Sequence, residues 1–82
     1  MNRKPIVHEL KILPKYYDYV ISSVKNFELR KDDRDFQVGD FILLKEYDNG
    51  TYTGRETGFR IEYILRNCSE YGLMDGYCIL GW

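Results

Sequence analysis

Three charged residues crowd one short stretch, Lys25-Asn26-Phe27-Glu28-Leu29-Arg30. Arginine and lysine can hold a phosphate, the first through a planar fork of donors and the second as a point charge. A glutamate can accept hydrogen bonds from an amino group on a base edge. One anion-binding half beside one base-reading half would suit a nucleotide. Lys11 and Arg34 offer further cations, and His8 and Tyr71 are candidates for stacking on a base. His8, Lys11, Lys25, Glu28, Arg30, Arg34 and Tyr71 therefore form the candidate RNA- or nucleotide-binding set. In an enzyme, Glu28 would act as general base on water and Lys25 would stabilise the oxyanion, with no complete catalytic constellation beside them. The bland alternative is an ion pair of Glu28 with Arg30 or Lys25 that only shapes a turn, since surface pairs of that kind are nearly neutral energetically.

These residues need a strand to hold them. Side chains two apart in a strand share a face, so Phe27 and Leu29 are expected in the core and the polar tips of Glu28 and Arg30 in solvent. A charged turn, Lys31 to Asp35, follows, and Phe36-Gln37-Val38-Gly39-Asp40 leads into the apolar run Phe41 to Leu44, expected to be buried on both faces. Upstream, Ile6, His8, Leu10 and Ile12 alternate with Val7, Glu9 and Lys11, which predicts a first strand with His8 half-buried and hydrogen-bonded on its inner face. Pro14 opens a helix. Leu13, Tyr16 or Tyr17, Val20, Ile21 and Val24 recur at helical spacing, with Lys15, Asp18 and Ser22 on the wet side and an end near Ser23 to Asn26. The tyrosines at 16, 17 and 19 read as core packing with wet hydroxyls rather than as a stacking platform.

Downstream, Asp48-Asn49-Gly50 is a turn signal. Thr51 to Gly58 reads as a long mobile hairpin loop with Arg55 solvated in it. Phe59, Ile61, Tyr63 and Leu65 alternate with Arg60, Glu62, Ile64 and Arg66 as one half-buried strand. A single helical turn is expected around Ser69 to Tyr71, and a last strand over Tyr77 to Trp82. Short strands with one early helix predict a mainly β, α+β domain over residues 1–82: a small barrel or curled sheet of about five strands, with the helix after the first strand plugging one end. Closure would also remove exposed edges.

At 82 residues the core is near the lower limit for a domain without staples, and eight tyrosines help by burying much area per residue. The formal net charge of −1 argues against extended binding to duplex DNA or RNA, which calls for a positive excess, and leaves room for one nucleotide or a short unpaired element. Met1 to Pro5 is basic but no apolar segment follows it, and no run approaches membrane-spanning length, so a cytoplasmic protein is expected. Cys68, Cys78 and the lone His8 have no metal-ligand spacing. Both cysteines read as reduced thiols, and neither metal nor cofactor is expected.

The run Val24-Lys25-Asn26-Phe27-Glu28-Leu29-Arg30, followed by Phe36-Gln37-Val38-Gly39-Asp40, resembles the ASCH branch of the PUA-like superfamily. Lys25, Glu28 and Arg30 match its signature, whereas Ser23 and Val24 stand where that signature has a glycine. His8 to Ile12, Arg30 to Phe36, Arg55-Glu56, Tyr71 to Leu73 and Gly76-Tyr77 resemble a subfamily of small bacterial and phage proteins with a proposed RNA-recognition motif. The resemblance implies a PUA-like β-barrel whose signature residues line a cleft beside the first helix, with RNA or a modified nucleoside as ligand. It also implies the alternative of a hydrolase acting on acylated cytidine or RNA. Relatives of the first kind use a lysine and a threonine at this junction, and Glu28 stands at the threonine position here.

Overall fold

In the computed structural model, which describes residues 3–82, the chain forms β1 (Val7–Ile12), α1 (Pro14–Ile21), β2 (Phe27–Lys31), β3 (Phe41–Asp48), β4 (Thr51–Arg60), β5 (Tyr63–Leu65), a 3-10 turn (Ser69–Tyr71) and β6 (Tyr77–Gly81). Met1 and Asn2, the start of the basic segment, lie outside the described residues. The fold is mainly β with one α-helix after the first strand, as the alternation of the sequence requires.

The six strands make two three-stranded sheets, β1-β3-β4 and β2-β6-β5. β1 runs parallel to β3, and the other pairings are antiparallel. One length of chain joins the sheets. β4 pairs with β3, and β5 pairs with β6. Between them Ile61 N donates to Asp40 O at 2.8 Å, and Glu62 N donates to Gly81 O at 2.8 Å. The strands thus follow the curled order β1-β3-β4/β5-β6-β2. No backbone pairing joins β1 to β2, so the expected closed barrel is left open along one seam.

The stretch Thr51 to Gly58, expected to be a mobile loop, is paired strand. Asn49 and Gly50 at φ 54° and 82° make the tight reversal that starts it. Its polarity reflects exposure on both faces near the hairpin tip. Arg55 is not a solvated loop arginine. Its Nε donates to Glu46 Oε1 at 3.0 Å and its Nη2 to Glu46 Oε2 at 2.7 Å, while its guanidinium stacks 4.6 Å from the Tyr17 ring centroid. The expected strand Phe59–Arg66 breaks at the sheet change. Ile61 is fully buried, whereas Tyr63 and Leu65 face outward. Phe41 is partly exposed, so the start of β3 is covered on one face only.

Leu10, Ile12, Ile42, Leu44, Ile61 and Leu80 fill the core, capped by Tyr17 and Val20 of α1. Leu13, Ile21 and Val24, expected on the inner face of the helix, are exposed because α1 is only eight residues long and ends at Ile21. A second buried centre is polar. Asp40 accepts from Arg3 Nη1 and Nη2 at 3.0 and 2.8 Å, from Ile6 N and Gln37 N at 3.1 Å each, and pairs with His8 Nε2 at 2.8 Å. A carboxylate only accepts, so His8 Nε2 carries the proton. Burial opposes ionisation of Asp40, but Arg3, His8 and the two backbone donors outweigh it and hold the carboxyl well below the ordinary range.

Removing Asp40 would strand these donors, so Asp40→Ala should cost about 3–5 kcal/mol in urea unfolding. Because the folded-state value is depressed, the stability Asp40 contributes is fully present above its unfolded value near pH ~4 and is lost as pH falls through the folded value. Wild type should therefore lose stability below about pH 4, with a smaller slope in Asp40→Ala.

Candidate functional site

The seam between β1 and β2 holds the candidate site. Helix α1 ends in a reversal in which Ser23 adopts φ 63° and the amides of Val24 and Lys25 both donate to Tyr19 O, at 2.9 and 3.0 Å. The backbone here follows a left-handed path without a glycine. It turns Lys25 back over β2. There Lys25 Nζ bonds Glu28 Oε1 and donates to Phe27 O at 2.6 Å. Arg30 Nε donates to Glu28 Oε2 at 3.0 Å, and its Nη2 reaches across the seam to Lys11 O at 2.5 Å. Arg34 Nη1 makes a parallel contact to Glu9 O at 2.8 Å. Two arginine side chains thus occupy the β1 edge where a closed barrel would place a neighbouring strand.

The phase of β2 is opposite to the sequence expectation. Glu28 is 5% exposed and faces the interior, while Phe27 and Leu29 are 47% and 55% exposed. The alternation was legible, but which face is inside was not. Glu28 pairs in register with Leu80 and Arg30 with Cys78 of β6, both of which belong to the core. A buried carboxylate is tolerable only when paired, and Lys25 and Arg30 supply a cation for each oxygen. The pairing considered from sequence exists, then, but it is internal rather than on the surface.

Around this triad lies a cleft of about 480 Å³, formed by the end of β1, by Tyr16 of α1 and by residues 25 and 27–30. Lys11, Lys25, Glu28 and Arg30 of the predicted set line it. The phenyl ring of Phe27 and the phenol of Tyr16 add two partly exposed aromatic surfaces. Arg34 lies beyond Arg30 in a smaller hollow of about 160 Å³ shared with Lys31 and Asp33. The fold does not bring His8 or Tyr71 to the cleft. His8 is buried against Asp40 and Phe36, with its ring centroid 4.6 Å from that of Phe36. Tyr71 is 89% exposed on the 3-10 turn. Phe27, two residues after Lys25, was expected in the core, and Tyr16 was read as core packing rather than as part of a stacking platform; both instead line the cleft, partly exposed.

Other reactive groups are accounted for by structure. Cys68 and Cys78 are free thiols, and burial, reinforced by Asp32 and opposed by Arg66, pushes the Cys78 thiol up to about 11, too high for a ready thiolate. Asp32 is held by Arg66 at 2.6 and 3.0 Å. Among the described residues no three His, Cys, Asp or Glu side chains converge as metal ligands, and no helix is long and apolar enough to cross a membrane.

The chain belongs to the family described as a domain of unknown function, DUF3850, whose model matches residues 7–82. It is also similar to an uncharacterised 12.9 kDa protein in the GpA 3′ region of Escherichia phage P2, with 42% identity over 55 residues. That match covers 67% of this chain and 50% of the phage protein, so the chain spans about half the length of this curated relative. Neither description assigns a ligand or a reaction.

Arg30 is the joint between seam and site. Arg30→Ala would remove one partner of Glu28 and uncap Lys11 O, and should cost about 1–3 kcal/mol in urea unfolding. Arg30→Lys should recover only part of that loss, because an ammonium cannot span both acceptors with a planar fork.

Proposed function

We propose that this protein is a cytoplasmic RNA- or nucleotide-binding module of PUA-like, ASCH type, and that its ligand enters the cleft at the open β1–β2 seam. The observation that carries the reading is the state of the two cations. Lys25 and Arg30 are fixed by Glu28, yet donors remain. Lys25 Nζ commits two of its three, and Arg30 Nη1 meets no acceptor among the described residues. Cations pre-ordered by a carboxylate lose little freedom on meeting a phosphate. Tyr16 and Phe27 flank them with π-faces on which a base can stack. Glu28 then has two tasks: it orients the cations, and its remaining lone pairs accept from an amino group of the base. Arg34 extends the basic track along the seam, while the Lys11 ammonium lies over the Tyr47 ring at 4.4 Å; so short a track fits a short unpaired strand better than a duplex on a protein of net charge −1.

The alternative, a hydrolase of acylated cytidine or RNA, asks Glu28 to take a proton from water. The described residues that line the cleft include no second carboxylate and no histidine, cysteine, serine or threonine to complete a catalytic constellation with it, so binding is the reading advanced.

Fluorescence anisotropy with short labelled RNAs tests it. Lys25→Ala should weaken all sequences alike, because phosphate contacts position without specifying. Phe27→Ala should cost about 1–3 kcal/mol, the usual worth of a stacked base. Glu28→Gln should weaken all sequences somewhat by loosening the two cations, and by a further ~1–3 kcal/mol those whose base presents an amino group. Product formation by wild type, lost in Glu28→Gln while binding persists, would support the hydrolase instead. No binding of any RNA or nucleotide would reduce the triad to an internal staple.

A further inference from the structure

The outer face of the β2-β6-β5 sheet carries a pattern of which the nucleotide reading uses only the Phe27 edge. In register across the three strands stand Phe27, Gly81 and Tyr63, and in the next row Leu29, Ile79 and Leu65. Tyr63 is 64% and Leu65 36% exposed, like Phe27 and Leu29 beside them. Met74, exposed on the loop before β6, lengthens the patch past Leu29, where it shares a hollow of about 220 Å³. Neither row contains a charge. A half-covered antiparallel sheet ordinarily alternates apolar inside with polar outside. Here β2 reverses the rule, with Glu28 and Arg30 turned inward beside Leu80 and Cys78 of β6, and the outer face of all three strands carries rings and aliphatic chains.

We propose that this face is the surface through which two copies of the chain associate. The exposed parts of these side chains present on the order of 500 Å² of apolar surface, at the upper end of what a monomer leaves uncovered. With half-buried Ile79 and a polar rim including Lys31, the face approaches the roughly 800 Å² per partner of a standard interface. Phe27 and Tyr63 flank Gly81, which has no side chain, in one row, so the row can offer a second copy both projecting rings and a gap. A twofold rotation can lay a ring of one copy in the gap of the other, with the sheets packed face to face. Lys25 reaches only the Phe27 end of the face, 5.0 Å from that ring centroid, and the rest of the two rows supplies no cation for a nucleic acid. An uncharged partner fits, and a second copy brings a matching face of the same kind.

Phe27 and Leu29 also wall the cleft. Association would therefore cover one lip of each cleft and leave two clefts at the edges of the dimer.

Sedimentation of the whole chain over micromolar to millimolar concentration tests the proposal without any ligand. Wild type should pass from 9.8 kDa to twice that mass. Tyr63→Lys should hold it at the monomer mass. Gly81→Lys is the control for folding: a Cβ at Gly81 meets Tyr63 O at 3.6 Å and Tyr63 Cβ at 4.0 Å, ordinary contacts, and its backbone φ is not in the left-handed region. This variant should keep the wild-type circular dichroism yet fill the gap and remain monomeric. A wild type that stays monomeric at millimolar concentration overturns the proposal, including the case in which RNA but not self-association protects Tyr63. A dimer that survives in folded Gly81→Lys overturns it as well.

Discussion

Two joined sheets that leave the β1 and β2 edges unpaired must satisfy the exposed carbonyls of those edges in another way. Here the carbonyls of Glu9 and Lys11 on β1 accept from Arg34 and Arg30. The constraint is the obligatory hydrogen bonding of backbone groups at a half-covered edge. Its solution determines much else. The cleft lies beside this contact, lined by Lys11 and Arg30. The arginine that bridges the seam also needs a counter-charge, and Glu28 provides it from the interior side of β2. Lys25, turned back by the reversal at Ser23, takes the second oxygen of the same carboxylate. Seam, buried charge and cleft are one arrangement.

The same device recurs through the molecule. Asp40 with Arg3, Glu46 with Arg55 and Asp32 with Arg66 are each two-point arginine–carboxylate contacts. Arg3–Asp40 and Arg66–Asp32 join segments distant in sequence, and Arg55–Glu46 clamps β3 to β4 where their register shifts. In a chain this short the apolar core is small, and directional ionic contacts add specificity where area is lacking. Truncating either partner leaves the other charge uncompensated, so such contacts tolerate change poorly even where their net stabilisation is modest.

Much of the fold was legible because strands and helices impose different periods. The inner face of β1, with His8 among Leu10 and Ile12, followed from alternation, and Pro14 marked the start of α1. The turn at Asn49-Gly50, the helical turn at Ser69–Tyr71 and the final strand followed from local chemistry. Alternation does not reveal its own phase, and that is why β2 was read inside out: Phe27 and Leu29 looked like the core and Glu28 like the surface. The information that reverses it is non-local. It lies in the pairing of Glu28 with Leu80, and in the arrival of Lys25 and Arg30 at one carboxylate. Thr51 to Gly58 was missed for a related reason. With both faces in solvent it lacks an apolar stripe, and only its pairing with β3 makes it a strand. Of the candidate site, Lys25, Glu28 and Arg30 converge on the cleft and Lys11 lines it with its ammonium turned to Tyr47, while His8 and Tyr71 lie elsewhere and the aromatic side chains on the cleft wall are Phe27 and Tyr16.

The central claim is that the open seam is the place where an unpaired nucleotide binds. The most direct measurement is an NMR titration of isotope-labelled protein with a short single-stranded RNA, followed residue by residue. The account predicts shifts that saturate together at Lys11, Tyr16, Lys25, Phe27 and Arg30, with little change around Asp40 or along the β3–β4 hairpin. Shifts confined to other surfaces, or none at all at millimolar RNA, would contradict it.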